Sequence, residues 1–148
     1  LVGDGPQRAE LERLAGPDVQ LRGALPAHQL RDEMPGYSGL IFAGLCPEAA
    51  VPLVVVEALA AGLPVLMTRT SPHASPFVAA DVARTVSADS PPTAAEPQLA
   101  TGDLLAGMAW ADSGGAVLRR RCRAWFERNF TEELWVRRLE QVYHDCGA

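Results

Sequence analysis

Residues Glu48 to Pro64 read E-A-A-V-P-L-V-V-V-E-A-L-A-A-G-L-P. Pro52 suits the first turn of a helix, where its missing N–H costs nothing and its fixed φ is already helical. The stretch then stays apolar apart from Glu57 until Gly62, a stop signal, and Pro64 to Thr68 resumes as a strand. The spacing predicts a helix over Pro52 to Ala61. Its N-terminus presents free backbone N–H groups and a positive dipole end, a ready site for phosphate. Glu57 lies further along the same helix, placed to accept hydrogen bonds from hydroxyls rather than to meet phosphate. A lone charge between Val54–Val56 and Ala58–Ala61 calls for a reason.

Outward from that helix the pattern is βα. Leu40 to Ala43 reads as a buried strand before it, and Thr70 to Pro76 as a polar loop after the next strand. Upstream, Leu1-Val2 ends a strand and Gly3-Asp4-Gly5-Pro6 turns. Leu11 and Leu14 mark a helix up to Gly16, Val19 to Leu21 a short strand, and His28 to Met34 a helix ended by Pro35-Gly36. Downstream, Val82 to Val86 reads as a last, edge-like strand and Ser87 to Pro97 as a surface loop. Leu99 to Trp110 and Ala116 to Arg128 read as helices. Thr131 N-caps the final helix, with Phe130 and Trp135 as a hydrophobic staple and Leu134, Leu139, Val142 and Tyr143 as its apolar face. Strands alternating with helices imply an α/β fold with a Rossmann-like parallel sheet flanked by helices, followed by C-terminal helices.

Composition sets the outer limits. The chain has 148 residues, 48% hydrophobic and 21% charged, enough for one domain with a real core. A net charge of −5 argues against general affinity for nucleic acid. Cys46, Cys122 and Cys146 are an odd set without paired spacing, which favours reduced cytosolic thiols. The longest apolar stretch, Val51 to Met67, is broken by Glu57, two prolines and Gly62, so a membrane span is not expected. Leu1-Val2 runs straight into a Gly turn, which implies a piece of a longer polypeptide; a processed complete domain is the alternative. Neither internal repeats nor a second domain is visible.

Four pieces, taken in order, resemble the C-terminal nucleotide-sugar-binding domain of glycosyltransferase family 4, retaining enzymes of the GT-B fold. L-V-G-D-G-P at Leu1–Pro6 resembles the family's strand-turn G-x-G-P. Q-L-R-G-A-L-P at Gln20–Pro26 resembles its next strand and Gly loop. Pro47–Pro64 resembles its double-Glu helix, and Arg121–Tyr143 its C-terminal helices. The resemblance implies that residues 1–148 form a single, partial donor-binding domain, whose first βα unit and N-terminal acceptor domain lie upstream. It implies transfer of a sugar from a nucleotide-diphosphate donor to a glycan or lipid-linked acceptor, with the departing phosphate assisting attack on the same face and no cofactor. It also implies a cytoplasmic protein, extending to the inner face of the membrane by peripheral association. The family's diphosphate-neutralising cations lie mostly upstream of Leu1, so this piece alone is expected to be inactive.

Residue by residue, the resemblance places Glu57 on the ribose hydroxyls; a surface Glu on an amphipathic helix is the bland alternative. Glu48 matches the first acid, which contacts the transferred sugar, yet it stands one residue too far from Glu57 and Ala49 holds the strict position. On one ideal helix that residue turns Glu48 away by about 100°. A loop before Pro52 absorbs it, and otherwise Glu48 is a solvated loop acid. Where the family has glycines, this chain has Val51-Pro52-Leu53, and Pro52 offers no N–H. Phosphate contacts therefore fall to the N–H groups of Leu53 and Val54, with Gly23 leaving room beside the base. Arg69 and His73 are either phosphate contacts or solvated loop charges. The run Arg119-Arg120-Arg121-Cys122-Arg123 is read as one solvated helix face, with an anionic lipid or a partner as the alternative. His28, His73 and His144 are too scattered for a metal cluster, and neither a G-x-S-x-G elbow nor a full dinucleotide fingerprint is present. Two rivals to a transferase stay open: a non-catalytic nucleotide-sugar-binding or regulatory module, and a sugar epimerase of GT-B architecture.

Overall fold

The computed structural model describes residues 1–43, 51–69, 71, 73–87 and 99–147. The chain divides into two compact units, Leu1–Met34 and Pro35–Ala148.

The larger unit is built on three parallel strands in the order β1 (Leu40–Phe42), β2 (Val65–Thr68) and β3 (Ala83–Val86). Leu40 pairs with Val65 and Val65 with Ala83, so the strands stay in step across the sheet. α3 (Leu53–Ala60) links β1 to β2, and α4 (Ala74–Ala79) links β2 to β3. Right-handed crossovers in one direction put both helices on one face. α5 (Thr101–Ser113) covers the other face: a methyl at Gly107 would lie 2.7 Å from the tip of the Leu66 side chain, which would have to turn aside, so the helix lies close on β2. With helices on both faces, all four residues of β2 are buried, as a central parallel strand requires.

Gly62 ends α3 in the left-handed region at φ +76°, and its N–H donates to the Leu59 carbonyl. A Cβ there would also press to 3.1 Å from the Arg119 carbonyl oxygen of α6 (Gly115–Asn129). Glycine is thus demanded twice at that position, by conformation and by close approach. α3 packs on α6, and Phe77 of α4 meets Trp125 at a tilt, centroids 4.8 Å apart, and stacks with Phe130 at 6.4 Å.

Several expectations need correction. α4 occupies part of the stretch expected to be a loop up to Pro76; a proline in the first turn of a helix costs no hydrogen bond, so Pro76 does not prevent it. β1 is an outer strand of the described sheet, and Ile41 is 46% exposed rather than buried. The arginine run is exposed over Arg120, Arg121 and Arg123, as expected, but it is also tied to the fold. Arg119 donates to the Pro35 and Tyr37 carbonyls, Arg121 pairs with Asp81, and Arg123 donates to the Ala60 carbonyl at 2.7 Å. These arginines staple α6 to its neighbours, and Arg123 puts a cation at the negative end of α3. In α7 (Glu132–Asp145), Thr131 does cap, accepting from the Leu134 N–H. The staple does not close: Phe130 turns into the aromatic cluster and Trp135 is 62% exposed. Leu139, Val142 and Tyr143 are likewise exposed, and no residue of α7 is buried.

The smaller unit carries α1 (Arg8–Leu14) and α2 (Ala27–Glu33), the latter running into a 3-10 turn at Met34–Gly36. The strands expected at Leu1-Val2 and Val19 to Leu21 do not form. One antiparallel bridge, Gly3 with Gly23, joins these segments instead. The Arg22 N–H also donates to the Leu1 carbonyl at 2.9 Å, but Leu1, Val2 and Val19 remain exposed, so no apolar burial rewards further pairing.

Candidate functional site

In a parallel α/β sheet the connecting helices run back against the strands, so the N-terminus of α3 lies at the carboxyl edge of β1 and β2. That edge is where such sheets bind ligands. Pro52 takes the N-cap position with extended backbone (φ −59°, ψ 133°) and no side chain caps the helix. The Pro52 carbonyl accepts from Val55 and Val56. Among the described residues, no acceptor faces the N–H groups of Leu53 and Val54. Leu53 is 77% exposed, so the helix end is open to solvent. The site therefore keeps two donors at the positive end of an apolar helix.

Glu57 follows Leu53 by four residues and shares its outward face, while Val55, Ala58 and Leu59 fill the core. The lone acid in an apolar helix thus has a plain reason: its position points to solvent. Among the described residues its carboxylate has no hydrogen-bond partner, so both oxygens stand ready to accept. Glu48 lies outside the described residues.

Arg69 directly follows β2, and His73 is the N-cap residue of α4, so both sit at this same edge. Arg69 lies 4.0 Å from the Asp103 carboxylate. Ser87 holds the Asp103 carboxyl below its usual range, first through its hydroxyl and then through its N–H at 3.0 Å, with Arg69 adding a smaller Coulombic pull. Arg69 thus already faces an anion that joins β2, β3 and α5. His73 is half-buried and engaged within the fold.

Gly23 belongs to the smaller unit. Its φ is +71°, and a Cβ there would lie 3.2 Å from Asp4 Oδ2. The turn's geometry and the approach of a carboxylate account for the glycine on their own. The sequence singled out Gly23 without Asp4, its closest neighbour, because a contact across 19 positions leaves no local periodic signal.

A cavity in the larger unit lies elsewhere. It measures about 450 Å³ and runs beside β1 on the α5 face, between Tyr37, Ile41, Leu66 and Met108. It is mostly apolar, and no basic side chain lines it, so it suits a diphosphate poorly. Among the described residues no cluster of His, Cys, Asp or Glu is arranged to hold a metal, and no helix is long and apolar enough to cross a membrane.

An α/β sheet with an open helix N-terminus at its carboxyl edge has many uses, and the decisive observation comes from comparison. A model of the family described as Glycosyl transferases group 1 matches residues 1–96. The chain belongs to that family. Its three-strand parallel sheet and flanking helices are consistent with a GT-B glycosyltransferase domain. The match includes the Gly3–Gly23 turns, the whole of α3 and all three strands, and ends before α5. No curated protein matches the chain. As a glycosyltransferase domain, it works in general with a nucleotide-sugar donor and an acceptor.

Proposed function

We propose that this chain is the donor-binding part of a retaining, family 4 glycosyltransferase. It takes a nucleotide-diphosphate sugar and serves transfer to a glycan or lipid-linked acceptor, in the cytoplasm at the inner face of the membrane. The observation that carries the reading is the pairing on α3: two N–H groups at its N-terminus without an acceptor among the described residues, with the exposed Glu57 carboxylate, which has no partner among the described residues, one turn below.

The roles are those the family resemblance implies, and the chemistry of each group suits them. Leu53 and Val54 donate backbone hydrogen bonds to the diphosphate, and the helix dipole supports the negative charge that grows as the sugar departs. Glu57 accepts from both hydroxyls of the ribose, a match between a carboxylate and a vicinal diol. The resemblance to the family assigns Gly23 the room beside the base and Glu48 the transferred sugar. The departing phosphate assists attack on the face it leaves, so no protein nucleophile is needed. Donor binding, rather than turnover, is the property to assay in this chain, because Arg69 at the same edge is already opposed by Asp103.

Ligand-observed NMR with UDP-, GDP- and ADP-sugars tests the reading. The expected result is selective binding to the wild type and loss in Glu57→Ala of about tenfold or more, from two charge-assisted hydrogen bonds. Equal binding by wild type and variant would remove Glu57 from the site. No binding by folded wild type would remove the donor site itself.

A further inference from the structure

β3 carries an arginine on a face of the sheet that a helix covers. Arg84 pairs in register with Leu66, and the Leu66 side chain lies against Gly107 of α5, so Arg84 rises from the sheet on the α5 side. Its guanidinium sits 4.6 Å from the centre of the Trp110 ring. Stacking uses the flat face of a guanidinium and leaves its N–H edge for acceptors. One terminal nitrogen meets Asp81 at 2.8 Å.

Arg84 and Trp110 wall a pocket of about 220 Å³ whose other sides include Arg69, Thr85, Gly107 and Asp103. Arg69 reaches it from the end of β2 with a side chain that is 68% exposed. Asp103 lies 4.0 Å from Arg69, beyond hydrogen-bond length, and takes its own hydrogen bonds from Ser87 instead. Asp81 is shared as well, since Arg121 of α6 pairs with it. Among the described residues, the three guanidiniums of Arg69, Arg84 and Arg121 thus stand against the two carboxylates of Asp81 and Asp103, with one positive charge in surplus. That surplus is local, because the chain as a whole carries −5.

Guanidinium edges, a threonine hydroxyl and a surplus positive charge around one hollow suit an oxyanion. Size narrows the class further. Pockets for drug-sized ligands run from about 300 to 1,000 Å³, so this smaller one suits a single phosphate group rather than a nucleotide.

We propose that the pocket between β3 and α5 binds a small oxyanion of the phosphate class, gripped by Arg84 and Arg69. It lies on the face of the sheet opposite α3 and does not rest on the donor-site reading. Trp110 holds the Arg84 guanidinium flat, and the Thr85 hydroxyl supplies a neutral donor.

The test is titration of the folded chain with inorganic phosphate and, separately, with glucose 1-phosphate, at an ionic strength fixed by chloride. The amides of Thr85 and Gly107 and the indole N–H of Trp110 report binding by NMR. Saturating shifts at all three are expected. Arg84→Gln and Arg69→Gln should each weaken binding by about tenfold or more, since each removes charge-assisted hydrogen bonds. A melting curve checks each variant. Arg84→Gln could disturb the packing of Trp110, whereas Arg69 is exposed, so Arg69→Gln decides the matter if the first variant melts early. Tighter binding of inorganic phosphate identifies the free ion as the ligand, and tighter binding of glucose 1-phosphate a phosphorylated sugar; either upholds the pocket. Shifts that fail to saturate, or that centre on Leu53 and Val54, overturn it. Unchanged affinity in Arg69→Gln overturns it as well.

Discussion

Pro35–Ala148 and Leu1–Met34 hold together by different means. In the larger unit, β2 is buried along its whole length, and Val55, Leu59, Phe77 and Val82 are buried as well. In the smaller unit Met34, its last residue, is the one buried side chain, and order comes from Asp4, Arg8, Arg22 and Glu33. Apolar burial carries no titrating charge, whereas exposed ion pairs weaken in acid and are screened by salt. The contrast teaches where each unit's shape is stored. A sheet can carry a ligand edge on apolar packing alone, while a loop without a core keeps its shape through polar contacts.

The sharpest way to break the comparison is a cavity in the larger unit. Phe77→Ala removes a ring that is 1% exposed and clustered with Trp125 and Phe130. It should cost about 3–5 kcal/mol in a denaturant melt of the β2-centred core. A loss below about 1 kcal/mol would mean that burial is not what holds this unit. Gly62→Ala should come next, at roughly 1–2 kcal/mol, because alanine must adopt φ +76° there. Its Cβ must also displace the Arg119 carbonyl on α6. A neutral result would show that the α3–α6 contact is looser than its geometry.

The smallest effect belongs to pH and the smaller unit. The Ala24 N–H, and then Arg8, hold the Asp4 carboxyl below its usual range. A lowered value in the folded state gives support that is present above the unfolded carboxylate range and is lost as pH falls through the folded value. Amide exchange at Ala24 and Gly3 should therefore speed up, relative to its intrinsic rate, as the solution is acidified through that window. Val65 and Met67 should keep their protection over the same range. Loss of protection in both units together would erase the distinction between them.

The same contrast explains what could be read from the chain. α3, its Gly62 stop and β2 were legible because local rules and burial agree there: a proline at the start, a glycine at the end, and an unbroken apolar run. Leu1-Val2 and Val19 to Leu21 looked like strands because they are apolar, but a strand exists only with a partner to pair with and a surface to bury. The arginines of α6 looked solvated because their acceptors, the carbonyls of Pro35, Tyr37 and Ala60, lie far away in sequence. At the candidate site the helix and Glu57 could be read directly. The outward direction of Glu57 follows from its four-residue spacing to Leu53. Asp4 could not be found, since its role depends on a turn 20 residues away.

The central claim is that the donor diphosphate sits on the N-terminus of α3. Backbone amide shifts of the folded chain, followed during titration with the nucleoside diphosphate it prefers, test this most directly. The account predicts that the Leu53 and Val54 amides move first and furthest, with Glu57 responding at the same midpoint. Shifts confined to Tyr37, Ile41 and Met108, around the apolar cavity beside β1, would place the ligand elsewhere and contradict it.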